Sequence, residues 1–197
     1  MARIGRVLYD GAYYHIINRG HDRQALFKEE KDFIKFKEVI VAYLEKYDFR
    51  VFHYCFMSNH FHMLIQVMKG LELPHIMKGI SLSYVNYYKR KYRKVGYIFQ
   101  SRYKSLLIEK EEYLLECARY IERNPLRAKI VTDLSRYKWS PDLTELFLTC
   151  NLILQALLAC PPSPEEGPIV RPIKVTYPYS SIWCPPPAIN EGFPAAE

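Results

Sequence analysis

Two histidines occupy alternate positions in an otherwise apolar segment, CFMSNHFHMLIQV, that spans residues 55–67. In a β-strand, side chains two residues apart point to the same face, so His60 and His62 would lie about 6 to 7 Å apart along the strand. Two neutral imidazoles at that spacing can bind one divalent ion together, although a histidine at a core edge more often bonds a backbone carbonyl. The pair by itself does not establish a metal site, and a third ligand must be sought elsewhere in the sequence.

A tyrosine and an asparagine four residues apart offer a candidate for that ligand. In YIERNP, Tyr120 and Asn124 would share one face of a helix. The amide oxygen of asparagine suits a hard ion such as Mg²⁺ or Mn²⁺. A tyrosine beside such an ion could attack a phosphodiester and form a phosphotyrosine. The chain has 17 tyrosines, so the spacing also allows a structural tyrosine and a helix that ends at an asparagine.

The segments that must position these residues alternate between strand and helix patterns. Apolar, β-branched runs predict strands in AYYHIINRG, RVFHYCFMS, HFHMLIQVM and RYKSLLIE, with a tight turn at Ser58 and Asn59 between the second and the third. Helical spacing of apolar residues predicts helices in EEKDFIKFKEVIVAYLEKYD, in LELPHIMKGISLSYVNYYKRKYRKVG up to Gly96, and in KEEYLLECARYIERNP up to the proline. The order β-α-β-β-α-β-α predicts an α+β fold, an antiparallel sheet with helices packed mainly on one face.

Charge and proline are distributed unevenly along the 197 residues. Residues 1–140 carry 26 Lys and Arg against 15 Asp and Glu, whereas residues 141–197 carry 2 against 6. A basic excess favours a polyanionic partner, either nucleic acid or an acidic membrane surface. Eleven of the 13 prolines lie in residues 141–197, which predicts a proline-rich, partly disordered extension with one helix at LTELFLTCNLILQALLAC.

The cysteines and the apolar runs indicate a soluble, cytoplasmic protein. The five cysteines are scattered and form no CxxC pair, which argues against a disulfide scaffold and against a cysteine zinc site. No apolar run reaches the roughly 20 residues that a membrane span requires, and the N-terminus has no apolar leader segment. We therefore expect no membrane association by a spanning helix.

Four motifs in sequence order resemble the single-tyrosine HUH transposases, in particular the branch of REP-associated tyrosine transposases. They are HIINRG followed by QALF, YCFMSNHFHMLI, GYIFQSRYKSLLIE and YIERNPLRAKIV. The resemblance runs from about Tyr13 to Trp139 and implies a ferredoxin-like sheet, which agrees with the strand order above. It identifies residues 1–140 as the transposase domain. After RYKWS, where relatives usually continue with Ser and Tyr, this sequence has Pro141 and departs from the pattern.

The resemblance also implies an activity and a role for each candidate residue. The His-hydrophobic-His motif of the family falls on His60 and His62, its nucleophile on Tyr120 and its third metal ligand on Asn124. The implied reaction cleaves and rejoins single-stranded DNA near a hairpin, through a 5′-phosphotyrosine and a free 3′-hydroxyl, with Mg²⁺ or Mn²⁺ and without ATP. Ligation by histidine implies loss of the metal, and hence of activity, below about pH 6. A homodimer is possible, and the sequence leaves open whether it forms.

Basic and aromatic residues near these motifs are candidates for DNA contacts. The run KRKYRK at residues 89–94 would contact phosphates, and four tyrosines could stack on unpaired bases, namely Tyr87, Tyr88, Tyr92 and Tyr97. The predicted DNA-binding cations are Arg19, Lys89, Arg90, Arg93, Arg102, Lys104 and Arg123. Helical spacing also allows the tyrosines to be core residues.

Two other functions agree with the same residues. The departure after RYKWS is compatible with a hairpin-binding or single-stranded DNA-binding protein that descends from a transposase and no longer cleaves. A hydrolytic metallonuclease, in which water attacks instead of Tyr120, would need a general base that the motifs do not supply.

Overall fold

Four strands form one antiparallel sheet in the order β2-β3-β1-β4 in the computed structural model, which describes residues 8–109 and 111–141. The strands are β1 (Ala12–Arg19), β2 (Phe49–Met57), β3 (His60–Val67) and β4 (Lys104–Ile108). The helices are α1 (Glu30–Leu44), α2 (Leu73–Tyr92), α3 (Glu111–Glu122) and the short α4 (Asn124–Arg127). All described residues belong to the first of two compact units, residues 1–159. The element order and the sheet order confirm the predicted α+β, ferredoxin-like fold.

Alternation along β3 divides its side chains between two hydrophobic clusters. Phe61, Met63 and Ile65 are buried in the larger cluster with apolar residues of α1 and α2. Leu64 belongs to the smaller cluster, which it shares with Leu114 and other residues of α3. The two long helices therefore cover one face of the sheet and α3 covers the other, so most of the helical packing lies on one face, as predicted.

The turn between β2 and β3 lies at Ser58 and Asn59, as predicted from their short polar side chains. The second long helix ends earlier than predicted, at Tyr92 instead of Gly96. Arg93 follows it in the left-handed conformation, with φ of 49°, and stops the helix. The prediction used Gly96 as the stop signal, whereas the left-handed backbone at Arg93 ends the helix four residues before that glycine.

A buried carboxylate joins the start of α1 to the end of α2. Asp32 is fully buried, and its oxygens accept hydrogen bonds from Tyr87 at 2.9 Å, Lys91 at 2.6 Å and Tyr92 at 2.7 Å. It also accepts from the backbone amide of Lys28 at 2.8 Å. These bonds lower the pKa of Asp32 against the opposing effect of burial, so the carboxylate stays charged.

The segment after α4 returns to the sheet and covers the outer side of β2. The carbonyl of Trp139 accepts from the amide of Phe56 at 3.0 Å, and the hydroxyl of Tyr137 donates to the carbonyl of Phe56 at 2.8 Å. The hydroxyl of Ser140 donates to the carbonyl of Tyr54 at 3.1 Å. Residues 137–140 therefore complete the sheet at this edge.

The predictions of a proline-rich extension and of no membrane-spanning helix apply to the whole sequence, of which the structure describes a part. The proline-rich extension, including the helix at LTELFLTCNLILQALLAC, lies outside the described residues except for Pro141. Within residues 8–109 and 111–141, no helix is long and apolar enough to cross a membrane.

Candidate active site

The candidate site lies on the face of the sheet that α3 covers. In the strand register, His60 is paired with Arg19 of β1 and His62 with Ile17. His15 lies two residues before Ile17 and therefore points to the same face. Alternation thus places three histidines and one arginine on a single face, although they come from two strands about 45 residues apart in the chain.

Hydrogen bonds fix the orientation of both histidines of β3. Nδ1 of His60 lies 2.6 Å from Oδ1 of Asn59, and Nδ1 of His62 lies 3.0 Å from Nε2 of His15. Because an amide oxygen can only accept, Nδ1 of His60 carries the proton and its Nε2 keeps a lone pair. Nε2 of His62 is buried and has no hydrogen-bond partner among the described residues. Each ring is held through Nδ1 and leaves Nε2 for another ligand.

The tyrosine of α3 lies over these rings. The centroid of the Tyr120 ring is 6.0 Å from that of His62 and 6.0 Å from that of His15. The rings of His60 and His62 are 5.2 Å apart. The structure therefore brings the two predicted metal-ligand histidines and the predicted nucleophile into one cluster.

The asparagine that follows one helical turn later is buried at the start of α4. Its amide nitrogen donates to the carbonyls of Tyr120 at 3.0 Å and Ile121 at 3.2 Å. These bonds hold the Asn124 side chain against the end of the helix that carries the tyrosine. The guanidinium of Arg127 lies 4.9 Å from the centroid of the Tyr120 ring, in a cation–π contact.

Burial keeps the histidines neutral. It lowers the pKa of His60 to about 4, with a smaller contribution from the positive charge of Arg19, and lowers the pKa of His15 to about 3. Burial and the two neighbouring imidazoles also hold the pKa of His62 well below its usual range. These three histidines are therefore neutral at neutral pH, and the fall of activity below about pH 6 stays a prediction.

The predicted DNA-binding cations are divided between the two faces of the sheet. Lys104 pairs in register with Ile17, in the same row as His62. Burial lowers the pKa of Lys104, and the positive charge of Arg19 lowers it further. Arg19 itself donates from Nε to the side-chain oxygen of Gln100. Arg123 is exposed, three residues after Tyr120. Arg19 and Lys104 therefore lie beside the histidine cluster, and a DNA contact by Arg123 stays a prediction.

The other predicted cations lie with the helix on the opposite face. Arg90 and Arg93 are exposed at the end of α2, and Lys89 and Arg102 line a groove beside that helix. The prediction that Tyr88 is free to stack on bases is wrong, because its ring is 1% exposed and its hydroxyl donates to the carbonyl of Ala25.

Of the other three tyrosines, only one is free of the helix packing. Tyr87 and Tyr92 are partly buried and bonded to Asp32, whereas Tyr97 is 79% exposed. Stacking on bases therefore stays a prediction for Tyr97.

Two residues of the cluster were not foreseen. His15 is buried against His62, and Arg127 lies on the ring of Tyr120. A signal for His15 was present, since it alternates with Ile17 and Arg19 along a predicted strand. No cluster of three or more His, Cys, Asp or Glu side chains suited to a metal occurs in the part of the chain that the structure describes.

Comparisons with known proteins found one matching family model and similar solved structures. The family model described as "Transposase IS200 like" matches residues 9–124. The structure is similar to a solved REP-associated tyrosine transposase bound to a REP hairpin, at 16% identity and a TM-score of 0.61, over 71% of this chain and 82% of that one. It also matches a crystal structure described as a transposase from Deinococcus radiodurans R1, at 18% identity and a TM-score of 0.42, over 62% of this chain and 97% of that one. No curated protein matches the sequence significantly.

Proposed function

Because the chain belongs to the family of IS200-like transposases, we propose that it cleaves and rejoins single-stranded DNA near a hairpin, with Tyr120 as the nucleophile. The single observation that carries this proposal is the position of the Tyr120 ring, 6.0 Å from that of His62. The solved structure of similar fold holds a REP hairpin, which supports hairpin DNA as the partner.

The residues of the cluster fit a divalent ion. Nε2 of His62 is a buried nitrogen without a partner among the described residues, and His60 presents the same atom because Asn59 binds its Nδ1. We propose His60, His62 and Asn124 as the ligands of Mg²⁺ or Mn²⁺. The amide oxygen of Asn124 suits such a hard ion, and the open coordination positions would be left for phosphate oxygens. A bound ion would polarise the scissile phosphate and stabilise the attacking oxygen.

His15 acts in this proposal as a positioning residue. Its bond to Nδ1 of His62 fixes the ring and, when Nδ1 is the donor, leaves Nε2 as the ligand atom. Arg127 places a positive charge beside the ring of Tyr120, where it stabilises the negative charge of a phenolate. Arg19 and Lys104 would bind the phosphate oxygens from the strand side.

The proposed reaction exchanges one phosphodiester for another. Oη of Tyr120 loses its proton and forms a bond to phosphorus, the bond from phosphorus to the 3′ oxygen breaks, and that oxygen takes up a proton as a free hydroxyl. The 5′ end stays on the protein as a phosphotyrosine, so the energy of the broken bond is kept for rejoining without ATP.

A covalent adduct is the direct test. The full chain would be incubated with Mn²⁺ and a pool of labelled single-stranded oligonucleotides that carry a hairpin and randomised flanks, and the products would be resolved on a denaturing gel and by mass spectrometry. We expect an adduct that maps to Tyr120 in the wild type and none with Tyr120→Phe, whose DNA binding should be unchanged. Tyr113→Phe is the matched control on the same helix and should form the adduct.

Three results would contradict the proposal. An adduct at the wild-type level in Tyr120→Phe would remove the nucleophile assignment. Metal-dependent cleavage without any protein-linked product would indicate that water attacks. Hairpin binding with no cleavage of any kind would favour the DNA-binding descendant.

A further inference from the structure

An open groove of about 630 Å³ runs along α1 and has an apolar floor. Ile34, Val41 and Ala42 line it from the helix, and the first two are 44% and 52% exposed. Ile34 and Val41 are seven residues apart, which is two helical turns, so they lie on one stripe of α1. An apolar stripe on the surface of a helix is typical of a face that packs against another helix.

The described part of the chain ends beside this groove. Lys138 and Trp139 line the groove together with α1. The ring of Trp139 stacks on that of Phe33, with 4.3 Å between the centroids, and Lys138 forms an ion pair with Glu30. Because Glu30 and Phe33 belong to the first turns of α1, the chain beyond Pro141 starts close to that end of the groove.

The sequence that follows has the pattern of an amphipathic helix. The apolar run LTELFLTCNLILQALLAC begins at Leu143 and lies outside the described residues. One stripe at helical spacing contains only apolar residues, namely Leu143, Leu146, Phe147, Cys150, Ile153, Leu154, Leu157 and Leu158. All five polar residues between positions 143 and 158 fall off that stripe. A helix with such a stripe needs an apolar surface to cover it.

The composition of residues 143–158 favours the groove along α1 over a charged partner. The segment contains no Lys or Arg, so it lacks the cations with which surface helices bind acidic lipids. The groove is lined by three glutamates and two lysines, so it does not favour a polyanion such as nucleic acid. The two apolar stripes are therefore the complementary parts of the two surfaces.

The lengths and the connection also match. A helix over residues 143–158 would be about 24 Å long, and the 15 residues of α1 span about 22 Å. The four residues from Trp139 to Leu143 can reach about 14 Å, which is enough to bring Leu143 over Ile34. Cys150 follows Leu143 by seven residues, as Val41 follows Ile34. A helix that ran beside α1 in the same direction would therefore place Cys150 opposite Val41.

We propose that residues 143–158 form a helix that packs into the groove along α1 of the same molecule. The docked helix would cover Ile34 and Val41 and would hold residues 137–140 in place from their other end. The proposal does not depend on the proposed DNA cleavage, because no residue of the histidine cluster takes part in it.

The first test measures how well a thiol in the groove is protected. Val41→Cys in the full, DNA-free chain would be labelled with N-ethylmaleimide, and labelling at position 41 would be followed by peptide mass spectrometry. Leu82→Cys in α2 is the matched control, because Leu82 is 54% exposed and Val41 is 52% exposed. We expect labelling at position 41 to be at least about tenfold slower than at position 82, since the docked helix must open before the thiol reacts.

Two further substitutions show whether residues 143–158 provide the protection. Ile153→Glu places a charge on the apolar stripe and should bring labelling at position 41 to within about twofold of that at position 82, because burial of an unpaired charge is costly. Gln155→Glu adds the same charge off the stripe and should leave the protection intact. Neither substitution should change labelling at position 82.

A disulfide would report the register directly. Oxidation of Val41→Cys by air with copper phenanthroline should link position 41 to the native Cys150 within one chain, because a disulfide requires Cα atoms within about 7 Å. The same treatment of Leu82→Cys should give no link to Cys150. Peptide mapping and a non-reducing gel distinguish a link within a chain from a link between chains.

Three results would overturn the proposal. Equal labelling at positions 41 and 82 would mean that nothing covers the groove. Protection that Ile153→Glu and Gln155→Glu both leave unchanged would mean that another part of the protein covers it. Protection that grows with protein concentration, with the disulfide formed between two chains, would assign the groove to a second copy. Slow labelling at position 41, lost only in Ile153→Glu, with a disulfide within one chain supports the proposal.

Discussion

The bond between His15 and His62 gives the sharpest test of the candidate metal site. Nε2 of His15 lies 3.0 Å from Nδ1 of His62, and both side chains are buried, at 2% and 3% exposure. Replacing His15 with leucine removes the hydrogen-bond partner of His62 Nδ1 and leaves the other surroundings of the His62 ring nearly unchanged. The ring of His62 is then free to turn, and its buried Nδ1 is left without a hydrogen-bond partner.

The size of the effect follows from the burial of this bond. Leaving a buried polar group unsatisfied costs about 1 to 3 kcal/mol. Loss of the partner that orients a ligand histidine typically lowers metal affinity about 10- to 100-fold, which is the same range of free energy. We therefore expect His15→Leu to raise the Kd for Mn²⁺ about 10- to 100-fold.

The assay is a titration of Mn²⁺ into the DNA-free protein, followed by the electron paramagnetic resonance signal of the free ion. His53→Leu is the matched control, because His53 is also 1% exposed and pairs in register with Leu64 of β3. His53 has no hydrogen bond to either nitrogen among the described residues, so its loss should leave the Mn²⁺ affinity within about threefold. His15→Gln, whose amide oxygen can accept from Nδ1, should recover most of the affinity.

Two results would refute this reasoning. Wild-type Mn²⁺ affinity in His15→Leu would mean that the bond does not position the ligand. Equal loss in His15→Leu and His53→Leu would mean that any cavity on this face disturbs the site, so that the specific bond has no separate effect.

Two predictions concern stability. Asp32→Asn leaves Lys91 without its buried partner and should lower the free energy of unfolding in urea by about 3 kcal/mol. Glu38→Gln removes only an exposed ion pair with Lys35 and should lower it by less than about 1 kcal/mol. Equal losses in the two variants would contradict the role of Asp32. Burial lowers the pKa of His53 to about 4, so between pH 6.5 and 4 the unfolded chain binds more protons than the folded one. The neutral, buried His53 therefore contributes stability that is complete above pH 6.5 and is lost as the pH falls to about 4. This contribution amounts to about 3 kcal/mol, at 1.36 kcal/mol per pKa unit. The free energy of unfolding, measured from pH 7 to 4, should fall with pH, and His53→Leu should reduce that fall by about 3 kcal/mol. An equal fall in the wild type and the variant would exclude His53 as its source.

Strand alternation was enough to predict one half of the candidate site. His60 and His62 share a face and Phe61 and Met63 take the other, because the strand repeat of two residues is set by the backbone alone. The α+β class followed from the order of the strand and helix patterns along the chain. These features depend on local sequence, so they could be predicted from it.

The other half depends on tertiary contacts. The pairing of β1 with β3 brings His15 to His62, and no local pattern specifies which two strands become neighbours at that register. Tyr88 has the same helical spacing as an exposed tyrosine, but the carbonyl of Ala25 accepts its hydroxyl and allows it to be buried. Arg127 reaches Tyr120 only because the chain turns at Pro125 and starts a second helix.

The strip formed by residues 137–140 has a consequence for any shortened form of this protein. It occupies the amide of Phe56 and the carbonyls of Tyr54 and Phe56, which would otherwise face solvent along an outer strand. An uncovered row of such groups is a template on which a second molecule can add its own strand, and aggregation follows. A fragment that ends at Asp133 would keep every residue of the histidine cluster but lose the strip that covers the edge of β2. A fragment that ends at Ser140 would keep the cluster and the strip.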